Sequence, residues 1–421
     1  MNENSQLESL RSVPEFTLPD YEGGSIVNLP DTVCSWFEIP GLGIGKLVGA
    51  ENAPFPGRIT QVVTVIIDAL SFHHFQAWRR EELDPIWDPL IQSGTLQSIT
   101  SICPSTTCAA MTSLWTGQPA VRHGISGYEM YLKDFQVTAN MISHTPVLFS
   151  GPDCTLENAG FIPEEFLSQS TLGSHLNLHG VQAHAFQHRS ILNSGLSRMF
   201  LKDVELHGIR SVPDLFISVR ELLESQPQTR KYITAYWGMV DGFFHLHGAE
   251  SQRARAEFTA FSRSLHEHLI EPLSPEIRQG TLLLVTADHG QITTRPDSHY
   301  TLTAHPELAE MLHLLPTGEN RLAYLHVRPG KLDAVREYVQ EHWPEQFLLL
   351  DAQEVTEAGL FGPPPVHPDW SSRTGDLVMI ARGDAYLWWH QQPNPLIGRH
   401  GGLTEAEMTV PLLISPLSHL P

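Results

Sequence analysis

No stretch of this chain strings together the roughly eighteen apolar residues that a membrane-crossing helix requires. The polar start, Met1 to Arg11 with Glu3 and Glu8, lacks the basic opening and apolar run of a secretory signal. Basic residues are also scarce: 26 Lys and Arg against 47 Asp and Glu leave a net charge of −21. A surface of that sign repels a phosphate backbone, which excludes bulk binding to DNA or RNA. It leaves room for a small phosphate-containing substrate, because a metal ion held by some of the acidic residues would invert the field locally. Cysteine is sparse as well. Cys34, Cys103, Cys108 and Cys154 form no CxxC pair, so a zinc ribbon and a thioredoxin-like redox pair are removed, and free thiols in a reducing compartment are expected. Internal repeats and low-complexity tracts are absent too. The expectation is a soluble, cytoplasmic protein with no membrane partner, and nothing in the sequence sets its oligomeric state.

What is present is ordinary globular material: 421 residues, 41% hydrophobic, enough for one large domain or two to three smaller ones. Val62 to Ile67 is a continuous β-branched apolar run, the pattern of a strand covered on both faces, and it ends at Asp68. Thr281 to Thr286 is a second such run, ending at Asp288-His289. Tyr232 to Trp237 is a third, running towards Asp241, and Val181 to Phe186, carrying His184, is a fourth. Between them lie helical stripes: Leu215, Val219, Leu222 and Leu223 behind Pro213, and Phe258, Phe261, Leu265 and Leu269. Strands alternating with helices predict an α/β fold with a mainly parallel central sheet flanked by helices. In such sheets ligands bind beyond the carboxyl ends of the strands, where three of these strands deliver acidic residues.

The rest of the chain divides around that core. Residues 1–60 read as an irregular N-terminal segment packed on it, and 61–295 with 376–421 as the catalytic α/β domain. Residues 296–375 read as a small α/β insert. Its strands are Arg321 to Val327 and Phe347 to Leu350, its helix carries Leu332, Val335, Tyr338, Val339 and Trp343, and Gly362 to Pro365 closes it. The run Gly41-Leu42-Gly43-Ile44-Gly45 precedes the first strand, whereas a dinucleotide loop must follow one, so it reads as a turn.

Four short clusters hold the ligand-type residues: Asp68; Asp241-x-x-x-His245, one helical turn apart; Asp288-His289-Gly290; and His400-Gly401-Gly402. Alone, each has a bland reading. A strand-terminal Asp caps helices, and a DxxxH pair decorates a solvated helix face. In order, three of them after buried strands, they supply three Asp and three His. That mix suits Zn²⁺ or Mn²⁺, and six ligands are too many for one tetrahedral ion and enough for two open sites. A nucleophile candidate lies in the hydroxyl-rich block Pro104-Ser105-Thr106-Thr107, ahead of a helix that Ala109 to Trp115 suggests. A helix start attracts phosphate through its free N–H groups. Capping would account for one of the three hydroxyls and leave the others available.

The ordered set resembles the alkaline phosphatase superfamily, and within it the type I phosphodiesterase/nucleotide pyrophosphatase branch. The matching pieces are Ile66-Ile67-Asp68, Pro104 to Thr107 with Thr116-Gly117, His123-Gly124-Ile125, Asp241-x-x-x-His245, Asp288-His289-Gly290 and His400-Gly401-Gly402. Leu403-Thr404-x-x-Glu407-Met408-x-Val410-Pro411 follows the last of them, so the likeness spans most of the chain. The resemblance implies that Thr107 is the nucleophile and itself a metal ligand, that Asp68, Asp288 and His289 hold the divalent ion that activates it, and that Asp241, His245 and His400 hold the other. His123 reads as structural. Two departures stand out. The nucleotide pyrophosphatases follow the nucleophile with Phe-Pro-Asn, and Cys108-Ala109-Ala110 here places no amide at Ala110. The sulfatase pattern Cys-x-Pro-x-Arg is not matched by Cys103-Pro104-Ser105. The function expected is hydrolysis of a phosphodiester or pyrophosphate bond in a small phosphate ester, through a phospho-threonine and two metal ions, Zn²⁺ or Mn²⁺. A phosphomonoesterase or phosphonate hydrolase would use the same metals. A non-catalytic binding protein retaining the fold would be marked by a lost ligand, and all six are present.

Overall fold

The computed structural model describes residues 4–49, 57–81, 86–148, 152 and 154–420. Its centre is a seven-stranded sheet ordered Thr95–Thr100, Thr409–Pro416, Thr281–Thr286, Gln61–Ile67, Lys231–Trp237, Gln182–His188, Glu205–Ile209. All neighbours pair parallel except Thr409–Pro416, which runs antiparallel to both strands beside it. The middle strand Gln61–Ile67 is buried at every position, as its unbroken apolar run requires. Helices cover the faces. Val212–Ser225 starts on a Ser211 cap with Pro213 in its first turn, and Gln252–Leu265 packs Phe258, Phe261 and Leu265 into the core. Four of these strands are read from the sequence, each within two residues of its observed ends, whereas Thr95–Thr100, Glu205–Ile209 and Thr409–Pro416 are not, and the stripe Phe258 to Leu269 begins six residues inside its helix and runs four past its end.

A second seven-stranded sheet, antiparallel throughout, is ordered Phe347–Asp351, Leu377–Ala381, Leu322–Leu325, Thr317–Glu319, Glu129–Leu132, Val137–Asn140, Thr145–Pro146. Its own apolar cluster includes Leu325, Val335, Trp343, Met379 and Trp389. Strands from outside 296–375 complete this sheet at both ends of that stretch. The division into a catalytic domain and an insert therefore stays a proposal, with the insert's sheet shared between them. Short strands pair with whichever edges the fold brings alongside, and a linear pattern does not show which edges those are.

The stretch before the first strand holds more regular structure than an irregular reading allows. Leu29–Trp36 is a helix with Pro30 in its first turn and Val33 and Cys34 buried. The glycine run behind it is a turn, and its anion-binding N–H groups are already used. Asp31 accepts from Leu42 and Gly43 N–H at 2.7 Å and from Gly45 N–H at 2.8 Å. All four cysteines are free, with Cys34, Cys103 and Cys108 buried. Among the described residues no helix is long and apolar enough to cross a membrane.

Candidate metal-centred active site

The carboxyl edge of the central sheet gathers all seven residues singled out by sequence. Asp68 follows the strand Gln61–Ile67, Asp288 and His289 follow Thr281–Thr286, and Asp241 and His245 lie on the helix Met239–His247 just after Lys231–Trp237. His400 comes from a turn in which Gly401 takes φ +107°, a conformation that a side chain disfavours. Thr107 is the first residue of the helix Thr107–Thr116, whose cap is Thr106. Its Oγ1 lies 3.0 Å from His289 Nε2.

The three imidazoles are oriented alike. His289 Nδ1 lies 2.9 Å from Gly290 O, His245 Nδ1 3.0 Å from Gly398 O, and His400 Nδ1 3.1 Å from Ser105 O. A carbonyl only accepts, so the Nδ1 of His289 and of His400 carries the proton and their Nε2 presents a lone pair to the site. His245 Nδ1 also meets the Gln291 amide at 2.9 Å, whose oxygen is buried without a partner, so turning that amide gives His245 the same form. Those lone pairs face carboxylates. His245 Nε2 is 3.3 Å and His400 Nε2 3.8 Å from Asp241 Oδ1, and His289 Nε2 is 3.5 Å from both Asp68 Oδ1 and Asp288 Oδ2. Asp68 Oδ1, Asp241 Oδ1 and Asp288 Oδ2 are buried without any hydrogen-bond partner. Three carboxylate oxygens left bare beside three inward lone pairs is a costly arrangement for the polypeptide alone. It fits divalent cations, whose ligands such atoms are.

Electrostatics point the same way. Burial, then the nearby Asp288 and Asp241 charges, push the Asp68 carboxyl well above its ordinary range, although Tyr236 O–H donates to its Oδ2. Burial also raises Asp241, opposed by His245 and His289. His400 is driven well below the usual imidazole value by burial and by His289 and His245, so it stays a neutral ligand. Two groups offer three ligand atoms within reach of one ion: Asp241, His245 and His400, as the resemblance implies, and Asp68, Asp241 and His289. Asp241 thus stands between the two positions, with Asp288 beside His289.

Several supporting residues were given no role by the sequence, although Glu407 stands in the matched ending. Tyr236, paired in register with Ile66, reaches Asp68 from the neighbouring strand. Buried Glu319 has a carboxyl raised to about 8 by burial, against hydrogen bonds from Thr106 and Tyr128. Arg321 and Glu407 pair beneath the His400 turn. The site opens into a cavity of about 580 Å³ whose lining includes Tyr128 and Asn140 from one part of the chain and Trp388 and Trp389 from another. Ala110 is fully buried in its helix, so that position offers the cavity no donor. His123 is buried too, bonded between Ser113 Oγ and Ile125 N–H, which is a structural role.

Gly290 fixes how closely this edge packs. A Cβ there would stand 1.9 Å from Ala406 O and 2.8 Å from Ser71 Cβ. Gly290→Ala should therefore displace His289, destabilise by about 1–3 kcal/mol and lower turnover. Thermal melts and an activity assay check this, and a wild-type Tm with wild-type activity would show that the edge yields freely.

Fold and site together define a hydrolase of the alkaline phosphatase superfamily. The profile of the family "Type I phosphodiesterase / nucleotide pyrophosphatase" matches residues 62–403. The chain belongs to that family. A search of curated proteins finds no match. Among solved structures, murine ectonucleotide pyrophosphatase/phosphodiesterase 5 is similar at 18% identity and a TM-score of 0.60, over 83% of this chain and 87% of that one. Phosphonoacetate hydrolase from Sinorhizobium meliloti 1021, in complex with phosphonoformate, is similar at 17% identity and a TM-score of 0.61, over 86% and 91%. The human ectonucleotide pyrophosphatase/phosphodiesterase 5 is similar at 16% identity and a TM-score of 0.60, over 84% and 87%. At such identities the likeness is one of fold.

Proposed function

We propose that this chain cleaves a phosphodiester or pyrophosphate bond in a small phosphate ester, with Thr107 as nucleophile and a phospho-threonine intermediate. The observation that carries the reading is the placement of Thr107 Oγ1 3.0 Å from His289 Nε2, at an edge that gathers three imidazoles and three carboxylate oxygens without hydrogen-bond partners. Two divalent ions, Zn²⁺ or Mn²⁺, would supply the acidity that turns a hydroxyl into an alkoxide and the charge that steadies a leaving oxygen. Asp68, Asp288 and His289 would hold one of them, and Asp241, His245 and His400 the other, with Asp241 placed to serve both.

The chain's own residues do the rest. Thr107 attacks phosphorus in line with the departing oxygen, and water then attacks the phospho-threonine from the vacated side. The start of the helix Thr107–Thr116 turns its free N–H groups and positive dipole end towards the non-bridging oxygens. Tyr236 holds the Asp68 carboxylate in place. The aromatic wall formed by Tyr128, Trp388 and Trp389 suits an organic group left outside the reacting phosphate, which favours a diester over a bare monoester. Four free cysteines support a reducing compartment such as the cytoplasm.

The fold shared with phosphonoacetate hydrolase keeps a second reading in view, hydrolysis of a phosphonate at the same centre. One paired experiment separates the readings: elemental analysis together with hydrolysis of bis-p-nitrophenyl phosphate, p-nitrophenyl phosphate and phosphonoacetate. The expected result is at least about two metal ions per chain and fastest cleavage of the diester. Faster phosphonate cleavage would replace this reading with the second, and absence of metal and of all cleavage after adding zinc or manganese would remove both. Asp288→Asn should lower the metal bound per chain, and unchanged stoichiometry would strike Asp288 from the ligand set.

A further inference from the structure

Outside the catalytic edge, one cluster of metal-ligating side chains stands on strands that contribute none of the residues above. His184 and Glu205 are register partners on the parallel strands Gln182–His188 and Glu205–Ile209, and His207 lies two residues beyond Glu205 on the same face. Glu205–Ile209 is the edge strand of the central sheet. His184 Nδ1 is 3.2 Å from His207 Nε2 and 3.4 Å from Glu205 Oε2, and His207 Nε2 is 3.8 Å from Glu205 Oε1.

Those spacings are what a small ion demands. Ligand atoms about 2.0–2.1 Å from a tetrahedral zinc lie roughly 3.3–3.4 Å from one another. The donor set, two imidazoles and one carboxylate, is a zinc set. Burial, chiefly, works against the charged form of both rings. A neutral ring is the form that binds metal. The rings are also held in place. His207 stacks on Phe186 with centroids 4.2 Å apart, and His184 is 3% exposed. His184 Nε2 is buried without a partner and can keep the ring proton while Nδ1 faces the cluster. Lys231 is the nearby opposing charge, but its ammonium is turned to the carbonyls of Leu222 and Gln226, and Glu205 supplies the compensating anion.

We infer that His184, Glu205 and His207 form a third, non-catalytic site for a divalent ion of the zinc class, which ties the edge strand to its neighbour. Three protein ligands leave one position for water, consistent with the open side where Glu205 is 67% exposed. An ion there closes off an edge strand that would otherwise be free to fray.

The test compares the whole wild-type chain with His207→Ala and Glu205→Gln. Each is loaded with Zn²⁺, dialysed, and measured for zinc per chain and for zinc affinity against a chromophoric chelator. The expected result is one zinc fewer in His207→Ala than in the wild type, and at least about tenfold weaker binding of one equivalent in Glu205→Gln. Cleavage of bis-p-nitrophenyl phosphate should match the wild type in both. Equal zinc content and affinity in all three proteins would overturn the inference and reduce the cluster to a hydrogen bond between two imidazoles. The readout is a difference between proteins, so it survives failure of the catalytic reading, which would lower the total in every sample and leave the difference intact. If His207→Ala does not fold, Glu205→Gln decides, since it keeps the size and the exposed position of the side chain.

Discussion

Thr107→Ala is expected to abolish turnover while leaving fold and metal content nearly untouched. Losing a covalent nucleophile typically costs three orders of magnitude or more in kcat, roughly 4 kcal/mol of transition-state stabilisation or beyond. The structure indicates why the damage should stop there. Thr107 lies inside the helix as its first residue, and Thr106 occupies the capping position, so removing the Thr107 hydroxyl takes no cap from the helix. Its recorded hydrogen-bond partner is His289, whose ring stays tethered through Nδ1 to Gly290 O. The stability change should therefore fall within about 1 kcal/mol. Thr107→Ser retains a hydroxyl and should lose far less activity than alanine. Single-turnover assays with elemental analysis check the set. Wild-type turnover in the alanine variant would end the assignment, and loss of metal would show that an ion depends on the Thr107 hydroxyl for its hold.

Much of this centre was legible because its residues sit at the ends of elements that announce themselves. A strand buried on both faces has to be a continuous apolar run, so Gln61–Ile67 and Thr281–Thr286 stand out, and the polar residues closing them mark the carboxyl edge. The glycines beside His289 and His400 are visible for a similar reason: a close approach at Gly290 and a positive φ at Gly401 demand them. The supporting residues are of another kind. Tyr236 looks like any aromatic strand residue, and only the parallel register opposite Ile66 reveals that its hydroxyl meets Asp68. Tyr128, Asn140, Trp388 and Trp389 converge because a second sheet recruits strands from separate parts of the chain. Strand partners across such distances depend on packing, which local patterns do not record. The same holds for His184 and His207, an ordinary pair of histidines until adjacent strands set them side by side.

Arg321→Met is expected to be the most destabilising single change at this edge. Arg321 and Glu407 are both fully buried and paired twice, Nε to Oε1 at 3.1 Å and Nη2 to Oε2 at 2.9 Å. Glu407 also accepts from Gly402 N–H at 2.9 Å and from the Thr404 hydroxyl at 2.6 Å, so the pair sets the turn that carries His400. Removing the guanidinium leaves a carboxylate buried without its counter-charge, at a cost of about 3–5 kcal/mol. For a chain of this length that is a fall in Tm of roughly 4 °C. The pH dependence has a definite sign. Burial alone would raise the Glu407 carboxyl, but Arg321 and the hydrogen bonds hold it below its ordinary range. A depressed carboxyl contributes stability that is present above its unfolded pKa and lost as pH falls through the folded one. In the variant the same carboxyl is raised by burial, and protonation relieves it. The stability gap between wild type and Arg321→Met should thus be widest near neutral pH and narrow in acid. Zinc or manganese content should fall with it, because the displaced turn carries His400. Denaturant melts from pH 4 to 8 measure the gap. A difference that stays constant, or grows, towards acid pH would mean that the Arg321–Glu407 charge pair is not what holds the turn.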